Sequence, residues 1–254
     1  MKPVTWQAMF AAMIVGPCLF ACTPAPHDLN EPALPTETMQ EWNRTPQIDQ
    51  VRRDDGDLVF SGVAESEARV VLRNNAGAAF AAVADNEGRF DIRMAAPRGD
   101  LWLRPETQVG QTAGVSPDLL VIIAGGQGPI LLLRPGAATR RLDSTPVLGA
   151  IDSDGRIRRL SGRVGEETRE LVIAVDGVPL TVLPDSDGRW NAVTTPEAAF
   201  HTVTVGGETF SWPGDGARSA ERAVERAGSG WRIHWPLDGG YQTVWAPDVR
   251  QATP

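Results

Sequence analysis

The hexapeptide DNEGRF, residues 85–90, returns as DSDGRW at 185–190, one hundred positions later. Each reads as a tight turn running into a strand. Gly88 and Gly188 suit the positive-φ place of a hairpin, next to Asp and Asn that tolerate the same geometry. Phe90 and Trp190 then open the following strand facing inward. Placing Gly62 over Gly162 extends the match for some thirty residues without a gap, with FSGVAESEARVVLR (60–73) over LSGRVGEETRELVI (160–173) and Arg69 on Arg169. Farther on, LWLR (101–104) lies over HTVT (201–204), both extended in character. Matches at one offset, concentrated at turns and strands, point to internal duplication.

Within the first copy, Leu58–Phe60, Val70–Leu72, Ala79–Ala84, Phe90–Met94 and Leu101–Leu103 read as short strands separated by turn signals. No window sustains a helical period, so the chain reads as all-β, a sandwich or small barrel per copy. The order strand, Ser-Gly, ARVVLR, then Asp-x-x-Gly-Arg-aromatic resembles bacterial immunoglobulin-like domains, over roughly 48–135 and 147–213. That resemblance implies two tandem immunoglobulin-like β-sandwiches, the spacers and binding modules of surface and envelope proteins. It implies no activity.

DLLVIIAGGQGPILLLRPG (118–136) is the most apolar stretch after the N-terminal region. Leu119–Ala124 and Ile130–Leu133 flank a Gly-rich turn and predict a buried hairpin completing the first sandwich (48–136). GGQG lacks the Lys-Ser/Thr and the helix of a phosphate loop. AATRRLDSTP (137–146) reads as a polar connection to the second sandwich (147–213). Residues 214–254 read as a C-terminal β extension packed on that sandwich, whose copy lacks an equivalent of the 118–136 hairpin. Its first segment, 217–227, reads as a strand, with a helix carrying Arg218–Glu221 and Arg222–Glu225 pairs as the alternative. In WRIHW, Trp231, Ile233 and Trp235 share one strand face, Arg232 and His234 the other.

Four aromatics, Trp231, Trp235, Tyr241 and Trp245, fall close together near the C-terminus. Two readings stand: Trp231 and Trp235 fill the core of the last sandwich, or the four form a platform for sugar rings. Tyr241, following a turn, is the more exposed member. DSDG at 152–155 and again at 185–188 reads as a hairpin turn, since a calcium loop needs a closing bidentate acid that is missing. The histidines, His27, His201 and His234, and the carboxylate pairs Glu65/Glu67 and Glu166/Glu167, sit in the tether, on strands or in loops. No nucleophile elbow or metal-ligand spacing accompanies them. The expectation is a non-catalytic protein with no cofactor and no metal.

The N-terminus, MKPVTWQAMFAAMIVGPCLFACTPAP, has a Lys2 start and a short apolar run broken by Gly16-Pro17, as in a signal peptide (1–21). Leu19-Phe20-Ala21-Cys22 resembles the bacterial lipoprotein signal. The resemblance implies that Cys22 becomes the first mature residue and carries acyl chains such as palmitate, and that Thr23 after it directs the protein to the outer membrane. More than one acyl chain makes anchoring stable. Residues 22–47, rich in Pro, form a tether. The expected partners are the lipid bilayer through Cys22, an envelope protein and a glycan. A net charge of −8 argues against nucleic acid. The expected role is an interaction or spacer module, with two alternatives: a carbohydrate-binding module or adhesin, and an accessory subunit of an export or attachment machine.

Overall fold

A computed structural model of the chain describes residues 44–248, apart from 111, 145, 195–200 and 218. The signal-like segment, Cys22 and His27 lie outside the described residues. So do Arg218, and with it the Arg218–Glu221 pair, and the stretch 249–254.

The first half consists of β1 (Gln47–Asp54), β2 (Asp57–Val63), β3 (Arg69–Arg73), β4 (Ala79–Val83), β5 (Arg89–Ala95), β6 (Leu101–Val109), β7 (Thr112–Val115), β8 (Leu119–Ile122), β9 (Ile130–Leu133) and β10 (Arg140–Arg141). The second consists of β11 (Ala150–Ser153), β12 (Arg158–Arg163), β13 (Leu171–Val175), β14 (Val178–Val182), β15 (Arg189–Thr194), β16 (Thr202–Val205), β17 (Glu208–Ser211), β18 (Ala223–Ala227), β19 (Gly230–Leu237) and β20 (Gly240–Pro247). The fold is all-β. Its sheets run β1-β2-β5, β10-β9-β8-β6-β3-β4 with β7 beside β6, β15-β12-β11-β20-β19-β18, and β14-β13-β16-β17. Every pairing is antiparallel.

Strand alternation builds the layers. β5 turns Phe90, Ile92 and Met94 inward and its charged residues outward. With Phe60 of β2 they meet Val70, Leu72 and Leu103 of the facing sheet in one core. Leu160, Trp190 and Trp245 meet Ile173, Val203 and Val205 in the same manner in the second half. Each half is thus a two-layer sandwich.

The repeated residues occupy matching places. Phe90 pairs with Gly62 and Trp190 with Gly162. A β-carbon on Gly62 would strike the Gln47 carbonyl and approach Phe90 Cζ to 2.9 Å; on Gly162 it would strike the Val147 carbonyl and approach the Trp190 ring to 2.9 Å. Glycine is required in both copies because an aromatic ring and a crossing backbone share the space above it. In each turn the first Asp holds the loop, Asp85 Oδ1 accepting from Arg89 N at 2.8 Å and Asp185 Oδ1 from Arg189 N at 2.9 Å.

The gapless alignment fails at one strand. Val70 and Leu72 are buried in β3, and their counterparts are Leu171 and Ile173, an offset of 101. β4 and β5 keep the offset of 100 with β14 and β15. Hence Arg169 does not stand in the place of Arg69. An extra residue before β13 is offset by a hairpin one residue shorter: between Ala174 and Pro179, the counterparts of Arg73 and Ala79, four residues stand for five, with Val175 and Val178 adding a pair to the ladder around Asp176-Gly177. The shift is forced, because a slip of one residue turns every side chain to the other face. At an offset of 100, solvent-facing Val172 would hold the place of Leu72.

The C-terminal segment joins the second half, but not as the missing hairpin. β8 and β9 extend the sheet containing β3 and β6. β20 instead pairs with β11, extending the opposite layer. Residues 223–227 form a strand and no helix. Glu225 bonds Arg232 across the ladder at 2.6 Å, which replaces the expected Arg222–Glu225 pair. Arg222 lies 5.7 Å from the Trp102 ring centre.

Candidate functional site

The two halves are fused by a third core. Leu119, Val121, Leu131 and Leu133, on the outer face of β8 and β9, pack against Ile233, Trp235, Val244 and Ala246 of β19 and β20. This explains why LLVI and ILLL do not alternate: both faces are buried, one inside the first sandwich and one against the second half. The 118–136 hairpin therefore completes the first sandwich and also forms the junction.

The 137–146 connection is no solvated linker. β10 pairs with β9, and Leu142 enters the first core, its N–H donating to Ile130 O and its carbonyl accepting from Val51 N, both at 2.9 Å. Arg141 and Asp143 form a buried ion pair at 2.9 Å, and Arg141 Nη1 reaches Pro247 O at 2.5 Å, tying the connector to β20. Thr139 donates its N–H and hydroxyl to Asp152 at 2.9 and 2.5 Å, and Gln242 Nε2 donates to Asp152 at 2.6 Å. Burial pushes the Asp152 carboxyl up to about 6, against the hydrogen bonds that favour its charge.

Several clefts open around this junction, and two of them hold candidate residues. One, of about 280 Å³, lies between Arg134, the connector, Asp49 and the DSDGRW turn of the second half. Asp49 Oδ1 lies 3.2 Å from Arg140 Nη2 and 3.8 Å from Arg189 Nη2. Burial and the adjacent Arg189 guanidinium hold Arg140 below the usual arginine range. The other cleft, of about 270 Å³, is lined by Tyr241, Gln242, Asp152, Asp154 and Arg159.

The aromatic residues singled out in the sequence are not brought together as one platform. Trp245 is 0% exposed in the second core, its Nε1 donating to Ala227 O at 2.9 Å. Trp235, 4% exposed, points the opposite way, into the junction. Trp231 packs at the edge of the junction with Arg226 stacked 4.6 Å from its ring centre. So Trp235 is a core residue of the junction and Trp231 packs against that core half-buried; neither lies in the core of the last sandwich. Tyr241 alone lines a cleft, half-buried. The same junction takes in Trp102, which sequence reasoning passed over.

His234 Nε2 lies 3.4 Å from Glu225, and the exposed His201 donates only its backbone N–H to the Asp176 carboxylate, at 3.0 Å. The four paired glutamates lie exposed in the loops after β2 and β12. Both DSDG stretches are turns: Asp154 Oδ1 accepts from Arg156 N and Ile157 N, and Asp185 Oδ1 from Asp187 N and Arg189 N. Among the described residues no three His, Cys, Asp or Glu side chains gather as a metal ion would require. Compared with known proteins, the chain matches no family model and no curated sequence.

Proposed function

We propose that the protein is a lipid-anchored, non-catalytic interaction module of the bacterial outer membrane, with two immunoglobulin-like units acting as one rigid body. The anchor rests on Leu19–Cys22 and its resemblance to the lipoprotein signal. The carrying observation for interaction, over simple spacing, is the junction: a spacer needs no buried connector, whereas this one fixes residues of both halves around clefts. Fixed clefts between domains are common places for recognition. Exposed outer strands such as β4 and β14 offer a second mode, by strand addition of an envelope protein.

The test is expression of the wild-type chain and Cys22→Ser in a bacterium, with palmitate labelling, membrane fractionation and cross-linking. Wild type incorporates label, sediments with outer membrane and captures a stoichiometric envelope protein. Cys22→Ser loses the label and is released. Retention of the variant in the membrane overturns the anchor; absence of a captured partner overturns the module.

A second reading, glycan binding, is favoured by Tyr241 alone. It lines its cleft beside Asp152, Asp154, Arg159 and Gln242, an aromatic face with converging polar groups. Glycan-array binding lost in Tyr241→Ala, with unchanged thermal stability, would move the assignment there.

A further inference from the structure

The duplication creates the same notch twice, and the copies differ in charge. In the first half the notch over Gly62 and Phe90 is edged by Val63, Asp85, Arg89 and Asp91. At the junction cleft, Gly162 and Trp190 are edged by Arg163, Asp185, Arg189 and Asn191. A cation thus stands where the first copy has Val63, and a neutral amide where it has Asp91. The end of the 118–136 hairpin adds Arg134, and the connector adds Arg140 and Arg141. Asp49 lies between the two notches and lines both; with it, Asp85, Asp91 and Arg89 line the first, and two further carboxylates and five guanidiniums line the second. That excess is confined to the lining itself, because Asp118, Glu166 and Asp187 pair with Arg134, Arg163 and Arg189 from just outside it, in a chain whose net charge is −8.

Two of the three carboxylates already have partners, one of them the Arg141 guanidinium of the same lining. Asp143 is held by Arg141, and Asp185 by the backbone of its own turn. Asp49 is left to serve both Arg140 and Arg189, whose side chains are only 16% and 26% exposed. Around it, Arg189 also meets Asp187, Arg163 meets Glu166 at 3.7 Å, and Arg134 meets Asp118 at 3.6 Å. Guanidinium forks match the oxygens of carboxylates and phosphates, and partial burial strengthens such contacts.

We propose that the junction cleft binds an oxyanion, the phosphate or carboxylate of a small ligand or saccharide, between Arg140, Arg163 and Arg189. Asp49 acts there as an internal competitor that holds the guanidiniums in place until the anion arrives. This rests on reading the junction as the recognition surface and is independent of the membrane anchor.

The experiment is calorimetric titration of the full chain in detergent with inorganic phosphate, glucose 6-phosphate and galacturonate, at low and high salt. Saturable binding of at least one is expected, weakened by salt. Binding of both phosphates alone marks a phosphate site, and of galacturonate alone a carboxylate site. Arg163→Gln, at a half-exposed residue outside the cores, lowers affinity about tenfold, the scale of one charge-assisted contact. Asp49→Asn raises it several-fold, and Arg89→Gln in the first notch leaves it unchanged. Absence of saturable binding at millimolar concentration overturns the proposal, as does an equal loss in Arg89→Gln. Were Arg163→Gln to abolish capture of an envelope protein while none of the three anions binds, the oxyanion would be overturned and the interaction module would stand.

Discussion

Asp152 accepts both the backbone N–H and the hydroxyl of Thr139, so one carboxylate of the second half anchors the strand leaving the first. The site is buried, and the carboxyl is raised from its ordinary 3.8 to about 6. In the unfolded chain the proton leaves near 3.8. The stabilising contribution of this group is therefore full below that pH and is lost as pH rises through 6, a difference of roughly 3 kcal/mol. Asp54, Asp85, Asp154 and Asp248 are shifted down, and their contributions are lost at lower pH still. Asp118 is also raised by burial and contributes in the same direction, so Asp152→Asn, with the Gln242 amide turned to accept, should flatten the slope between pH 4 and 6 without abolishing it. Urea unfolding of both proteins at pH 4, 5, 6 and 7.5 measures the difference.

Gly62→Ala and Gly162→Ala should be nearly equivalent in cost, roughly 3 kcal/mol or more each, because the added methyl meets a backbone carbonyl and an aromatic ring. Gly99→Ala, with nothing within 4 Å of the new carbon, should fall within about 0.5 kcal/mol of wild type. Denaturation midpoints of the three variants decide this. A tolerated Gly162→Ala would mean that the two copies are not built alike.

Trp245→Ala should destabilise by about 3–5 kcal/mol, the range for an aromatic lost from a core. Tyr241→Ala should change stability by less than about 1 kcal/mol. The contrast, read by thermal unfolding, separates the buried aromatics from the one that lines a cleft.

The junction gives a further expectation. With Val121 and Trp235 both buried there, the halves should unfold as one. The double variant Val121→Ser with Trp235→Ala should split a single calorimetric transition into two. A single undivided transition in that variant would place the coupling in the polar connector instead.

Much of the architecture was legible. Turn residues are set by local backbone geometry, so Asp85, Gly88 and their counterparts were readable from one chain. Alternation in FDIRM placed β5. The one-residue slip at β13 was hidden, since Arg69 and Arg169 coincide by identity while burial follows Val70 and Leu171. The uninterrupted apolar runs of β8 and β9 did signal burial on both faces, but a lone sandwich accounts for only one; the second depends on residues a hundred positions away. The candidate site was mostly illegible for the same reason. Arg140, Arg189 and Asp49 converge only through tertiary packing, and their spacing resembles no motif. The aromatic cluster misled because nearness in sequence says nothing of which sheet face each ring takes: Trp235 and Trp245 lie on neighbouring strands and point to opposite sides.

The placement of β20 has a consequence for how the molecule comes together. This strand follows all others of its half in sequence, yet lies between β11 and β19 in the finished sheet. A chain emerging from its N-terminus could close the first sandwich once residue 142 is out. The oily outer side of β8 and β9, and the unpaired edge of β11, must wait for a hundred more residues. During that interval the half-made protein is adhesive, and its safe assembly would depend on rapid delivery of the last strand or on a chaperone that shields the waiting surface.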